Sequence, residues 1–243
     1  MSDSVPMAAG PWPTGHPAAV PWGPTPTAGQ GADPAVVRVL RFLPDTVAEG
    51  PGRRAALWVQ GCSIRCPGCF NPHSWPAAGG ELIPWPVLAD RVLAATAANE
   101  IEGLTLLGGE PFDQAGPLAA LAEVVRAAGL SVMTFTGHVL EDLRAAGRED
   151  WDRLLAATDL LVDGPYLAER PERTRPWIGS DNQRFWFLTD RYVHLRAGLG
   201  AIPNRLEVRI ARSGQVAVNG FATVATLEDL LTETAVPPRR RRR

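Results

Sequence analysis

Gln60-Gly61-Cys62-Ser63-Ile64-Arg65-Cys66-Pro67-Gly68-Cys69-Phe70-Asn71 contains all 3 cysteines of the chain, spaced C-x3-C-x2-C. Three thiolates this close can wrap three corners of a cubane iron–sulfur cluster. Pro67 and Gly68 permit the tight turn that such wrapping needs. A four-iron cluster held in this way keeps one iron without a protein ligand. An open iron is a reaction site, whereas a fully ligated cluster serves as an electron relay. Zinc is the rival: His73 follows Cys69 by four residues, so Cys62, Cys66, Cys69 and His73 could form a Cys3His site. Unliganded core thiols are a third reading, opposed by the polar neighbours Ser63, Arg65 and Asn71.

Working outward, residues 55–60 read as a buried strand that runs straight into the cysteine loop, and residues 36–43 alternate as a half-exposed strand would. Helical patterns over 86–98, 118–128, 139–146 and 151–157 are interleaved with strand patterns over 103–107, 130–135, 160–162 and 184–188. Residues 206–210 and 216–218 flank Ser213-Gly214 as a hairpin, and a last helix covers 226–231. Strands alternating with helices predict parallel α/β architecture, in which the strand-end loops share one edge of the sheet. That edge would gather the cysteine loop, Gly108-Gly109, residues 134–137 and Asp163-Gly164.

The chain has 243 residues, 45% hydrophobic and 21% charged, which is the balance of a globular protein with a sizeable core. Clustered and odd in number, the cysteines exclude a disulfide framework. No apolar run approaches the roughly 18–20 residues of a membrane span. With no charged leader and free thiols, a reducing cytoplasm is expected. Residues 1–34 hold eight prolines and five glycines and are expected to be a disordered extension. Trp12 and Trp22 lie within it. Residues 35–232 would form the folded domain and 233–243 a disordered basic tail. The net charge of −2 hides five terminal arginines, Arg239 to Arg243, on an acidic body. Without interleaved aromatics, this tail predicts no nucleic-acid partner.

The cysteine motif resembles that of the radical S-adenosylmethionine superfamily. Further residues narrow the resemblance: Glu49-Gly50-Pro51-Gly52-Arg53-Arg54, Cys69-Phe70-Asn71-Pro72, Gly108-Gly109-Glu110-Pro111, Thr134-Phe135-Thr136-Gly137, Leu161-Val162-Asp163-Gly164-Pro165-Tyr166 and Gly179-Ser180-Asp181-Asn182-Gln183-Arg184. In this order they are similar to anaerobic ribonucleotide reductase activating proteins and their glycyl-radical-activating relatives, over roughly residues 36–190. The resemblance implies an incomplete parallel (β/α) barrel, a [4Fe-4S] cluster on Cys62, Cys66 and Cys69, and S-adenosyl-L-methionine as cofactor. It implies that the Gly108-Gly109-Glu110 turn receives the cofactor's amino group and that Gly68 and Phe70 pass the adenine. Thr134 and Thr136 are expected to reach the ribose from one face of a strand. Asp163 would stand on the cofactor-side rim, with Asn182 making cofactor or loop contacts. His138 reads as a surface residue.

The partners implied are a glycyl-radical reductase and a low-potential electron donor such as a flavodoxin. Two other functions remain open on the sequence. One keeps the cofactor chemistry but acts on a small molecule or peptide. The other is a zinc module that docks partners through its tails.

Overall fold

The computed structural model describes residues 35–210 and 216–220. The proline-rich segment, the Ser213-Gly214 turn, the helix expected over 226–231 and the arginine tail lie outside the described residues.

The elements run β1 (Val36–Thr46), β2 (Arg54–Val59), β3 (Glu81–Pro84), α1 (Trp85–Asn99), β4 (Gly103–Gly108), α2 (Ala115–Ala127), β5 (Ser131–Phe135), α3 (Leu140–Ala145), α4 (Glu149–Ala156), β6 (Leu160–Asp163), β7 (Arg184–Phe187), β8 (Leu206–Ile210) and β9 (Val216–Gly220). The first seven strands form one sheet in the order β3-β1-β2-β4-β5-β6-β7, and β8 and β9 form a separate hairpin. The central pairs β2–β4, β4–β5 and β5–β6 are parallel. The flanking pairs, β1 with β2, β1 with β3 and β6 with β7, are antiparallel. The α/β class expected from the alternating pattern is therefore found around a mostly parallel centre. The antiparallel flanks were not foreseen, because a strand's side-chain alternation is the same in either direction.

Central strands are buried on both faces, as crossover helices require. Ala55, Leu57 and Val59 of β2 join Leu104, Leu106, Val132 and Leu161 in the main core. Against them pack Leu88 and Val92 of α1, Leu118, Leu121 and Val125 of α2, and Trp151 and Leu154 of α4. The alternate residues Ala56 and Trp58 turn the other way, where they meet Leu107, Leu40, Leu43 and Phe135. That second face carries the site.

The start of β2 is anchored by a fully buried guanidinium. Arg54 donates from Nε to Thr105 Oγ1 at 2.7 Å, and from Nη1 to Tyr192 OH at 2.8 Å and Pro51 O at 2.9 Å. Its Nη2 reaches Leu104 O at 3.0 Å. A buried cation is tolerable only when its donors are spent in this way.

Candidate functional site

Beyond Val59 the chain is caught twice before it reaches the first cysteine. Gly61 N–H donates to Ser74 O at 2.7 Å and Cys62 N–H to Trp75 O at 3.2 Å. The Gln60 side-chain amide ties the returning loop by donating to His73 O and Pro76 O. Asp113 takes both the Ser63 N–H (2.7 Å) and the Ser63 hydroxyl (2.8 Å). The loop is thus held at both margins by hydrogen bonds.

Each sulfur receives backbone N–H donors. Ile64 and Arg65 donate to Cys62, with Arg65 in the left-handed region at φ 53 so that consecutive amides converge. Tyr166 N–H, from the loop after β6, donates to Cys66. Asn71 N–H donates to Cys69 Sγ at 3.3 Å. All three thiols are free and line one cavity of about 320 Å³.

Burial pushes the Cys62 thiol up to about 12 and raises that of Cys66. Burial therefore favours the neutral thiol at Cys62 and Cys66, and iron would displace their protons. No group of three His, Cys, Asp or Glu side chains among the described residues is gathered to enclose a single ion. His73 sits exposed on a short 3-10 turn and does not line the cavity. Soft sulfur donors, each with N–H partners and opening on a shared cavity, fit a multi-iron cluster, which takes each thiolate on a separate iron. They do not fit a mononuclear Cys3His ion.

Beside the cysteines lies the turn after β4. Gly108 has φ 109, and a Cβ there would meet Val59 N at 2.6 Å. A Cβ on Gly109 would lie 2.0 Å from Gly61 O. Only glycines let this turn close against the root of the cysteine loop. The Glu110 side chain follows, 1% exposed. Its carboxylate accepts from Phe112 N (2.9 Å), Thr136 Oγ1 (2.9 Å) and Gly137 N (2.8 Å). Burial outweighs those donors and pushes its pKa up to about 8.

Of the residues expected at the site, Cys62, Cys66, Cys69, Phe70, Gly108, Gly109, Glu110 and Thr136 line the cavity. Phe70 packs against Tyr166 with ring centroids 4.9 Å apart and the rings tilted by 50°. Gly68, Thr134, Asp163 and Asn182 lie outside the lining. Gly68 turns at φ 75 beside Ala168. Thr134 is buried against Thr158, Oγ1 to Oγ1 at 2.9 Å. Strand β5 ends at Phe135, so the alternation that would have aligned Thr134 with Thr136 stops, and Phe135 itself lines the cavity.

Asp163 accepts from Leu140 N at 2.7 Å and from Arg184 Nε at 3.0 Å, which locks β6, β7 and α3 together. Asn182 donates to Pro165 O at 2.7 Å. His138, expected at the surface, is buried against Trp151 with ring centroids 5.0 Å apart, and burial lowers its pKa.

The sequence reading missed the cavity wall formed by Trp58, Leu107, Arg41 and Glu49. It also missed the Tyr166 amide, since a backbone donor leaves no mark in a residue pattern.

A family model described as a 4Fe-4S single cluster domain matches residues 48–186. The chain is 32% identical over 154 residues to the anaerobic ribonucleoside-triphosphate reductase-activating protein of Enterobacteria phage T4, covering 62% of this chain and 94% of the relative. The Vibrio cholerae protein of the same name is 32% identical over 149 residues, covering 59% and 93%. The Salmonella typhimurium one is 29% identical over 153 residues, covering 60% and 96%. Among solved structures, QueE from Escherichia coli aligns with 43% of this chain and 54% of its own, at 18% identity and a TM-score of 0.33. That likeness is too slight to assign the fold.

Proposed function

Because this chain belongs to the 4Fe-4S single cluster domain family and to the anaerobic ribonucleoside-triphosphate reductase-activating proteins, we propose that it is a radical S-adenosylmethionine activating enzyme that installs a glycyl radical on a reductase of that class. The observation that carries the reading is the convergence of Cys62, Cys66 and Cys69, each sulfur supplied with N–H donors, on one cavity beside a glycine–glutamate turn.

When bound, the cluster and S-adenosylmethionine would supply one-electron reductive cleavage of a carbon–sulfur bond. The chain's own residues do the rest. Cys62, Cys66 and Cys69 would hold the cluster. The amides of Ile64, Arg65, Asn71 and Tyr166 spread the charge of the sulfurs and so favour the reduced state. The Gly108-Gly109-Glu110 turn would receive the cofactor's amino group, with Thr136 and Gly137 fixing the Glu110 carboxylate in place. Trp58, Leu107 and Phe135 give the cavity an apolar wall that keeps water and stray hydrogen donors from the reacting carbon. The parallel centre of the sheet supports an incomplete (β/α) barrel. A low-potential donor such as a flavodoxin supplies the electron, in the cytoplasm.

The test is anaerobic reconstitution, then mixing with an anaerobic ribonucleoside-triphosphate reductase, S-adenosylmethionine and reduced flavodoxin. A glycyl-radical doublet in the electron paramagnetic resonance spectrum of the reductase is expected. Cofactor cleavage without that doublet would contradict the assigned acceptor and favour a small-molecule or peptide target.

A further inference from the structure

The hairpin β8–β9 lies beyond residue 186, where the family match ends. Its two faces are inverted relative to an ordinary surface hairpin. The polar residues point inward: Thr46 Oγ1 donates to Glu207 Oε2 at 2.6 Å, and Arg209 Nη1 reaches Asp45 Oδ1 at 3.3 Å. Asn219, paired across the strands with Glu207, is buried, and both polar atoms of its amide have no hydrogen-bond partner among the described residues. Outward point Val208, its cross-strand partner Val218, and Ile210, at 43%, 40% and 68% exposure.

A strand pair with one wet face normally turns its polar side to water. Here the exposure of three β-branched side chains works against the free protein, while the Asn219 amide on the opposite face lines the cavity. Such an arrangement suits a face that another molecule covers. Continuity with the site says which molecule. Val218 and Gly220 line the catalytic cavity, and Phe70, 58% exposed, lines the same cavity. An opening of about 320 Å³ cannot admit a folded protein, so a protein substrate has to insert a segment. The flanks of that segment then lie on the rim, and the hairpin's apolar face is part of that rim.

We propose that the outward face of β8–β9 (Val208, Ile210 and Val218) is a docking surface for an extended apolar segment of the protein that receives the radical. Valine and isoleucine side chains at alternate positions suit an extended strand laid along the hairpin. This rests on the activating function proposed above. It adds that partner choice is read by an element outside the matched family region.

The test compares the full-length wild type with the double variant Val208→Thr/Ile210→Thr, both reconstituted anaerobically. Threonine keeps the β-branched shape that strands favour while breaking the apolar surface. Neither position lines the cavity, so cofactor cleavage without a partner and the thermal midpoint should be unchanged. Affinity for the anaerobic reductase, read by fluorescence anisotropy, should fall about tenfold or more. Equal affinity in a wild type that cleaves cofactor and binds the reductase overturns the docking surface alone. A wild type that cleaves no cofactor overturns the activating function and the surface with it. Sedimentation showing a wild-type dimer that the variant dissolves would assign the face to a second copy instead. Hydrogen exchange slowed on the hairpin by residues 221–243 would assign it to the chain's own C-terminus. Either result overturns the proposal.

Discussion

Replacing Glu110 with glutamine isolates the group on which the turn after β4 depends. In the wild type three donors converge on two acceptor oxygens at 2.8 to 2.9 Å. Glutamine offers one oxygen and one NH2. If its oxygen serves Phe112 N and Thr136, the NH2 faces Gly137 N–H. One buried donor is then lost and another opposes it, a cost of about 1–3 kcal/mol. The penalty should depend on pH. Burial raises the Glu110 pKa from its ordinary 4.5 to about 8 in the fold. A raised carboxyl contributes stability that is fully present below the unfolded pKa and is lost as pH rises through the folded one. The loss proceeds at up to about 1.4 kcal/mol per pH unit. Glutamine does not titrate, so only the wild type declines on this account. In urea unfolding of the iron-free protein, Glu110→Gln should therefore be less stable near pH 5. The gap should close around pH 6 and invert by about pH 8. A penalty constant from pH 5 to pH 8 would show a carboxylate held ionised by its three donors, and the reasoning about burial would be wrong.

Arg54→Met removes a fully buried cation and leaves the Pro51 and Leu104 carbonyls without its donors, while Thr105 and Tyr192 keep their bonds to Glu49 and Glu102, so a loss of about 1–3 kcal/mol is expected in the same unfolding assay. A loss below about 1 kcal/mol would mean that water replaces the guanidinium. Gly109→Ala drives a Cβ to 2.0 Å from Gly61 O, so the cysteine loop must shift. Iron uptake on reconstitution should drop steeply, and normal uptake would show that the turn has room to spare. Asp163→Asn weakens the tie between Arg184 and the Leu140 amide and should cost about 1–3 kcal/mol of stability with little change in S-adenosylmethionine affinity. A selective loss of cofactor affinity would place Asp163 in the binding site after all. Cys66→Ala should leave a folded chain with little cofactor cleavage, and normal cleavage would remove Cys66 from the ligand set.

The parts of this architecture that could be read from sequence are those fixed by local chemistry. Continuous apolar runs such as Ala55–Val59 announce buried strands, and the cysteine spacing announces its own turn. Strand direction is different: β1 and β7 carry patterns compatible with either sense, and only their neighbours decide it. Strand β3 has four residues and ends in Pro84, too little to register as a pattern. At the site, residues in glycine-rich turns were legible because their backbone must approach another chain segment. Thr134 was not, because its use depends on β5 ending one residue before Thr136. Asp163 sits at a strand end, as expected. Its engagement is set by the antiparallel register that places Arg184 opposite.

The most direct measurement is the electron paramagnetic resonance spectrum of the anaerobically reconstituted, dithionite-reduced protein, taken with and without S-adenosylmethionine. An iron left free by Cys62, Cys66 and Cys69 predicts a [4Fe-4S] signal that changes when the sulfonium is added, with 5′-deoxyadenosine accumulating. A protein that takes up zinc in place of iron, or a cluster signal indifferent to the sulfonium, would contradict it.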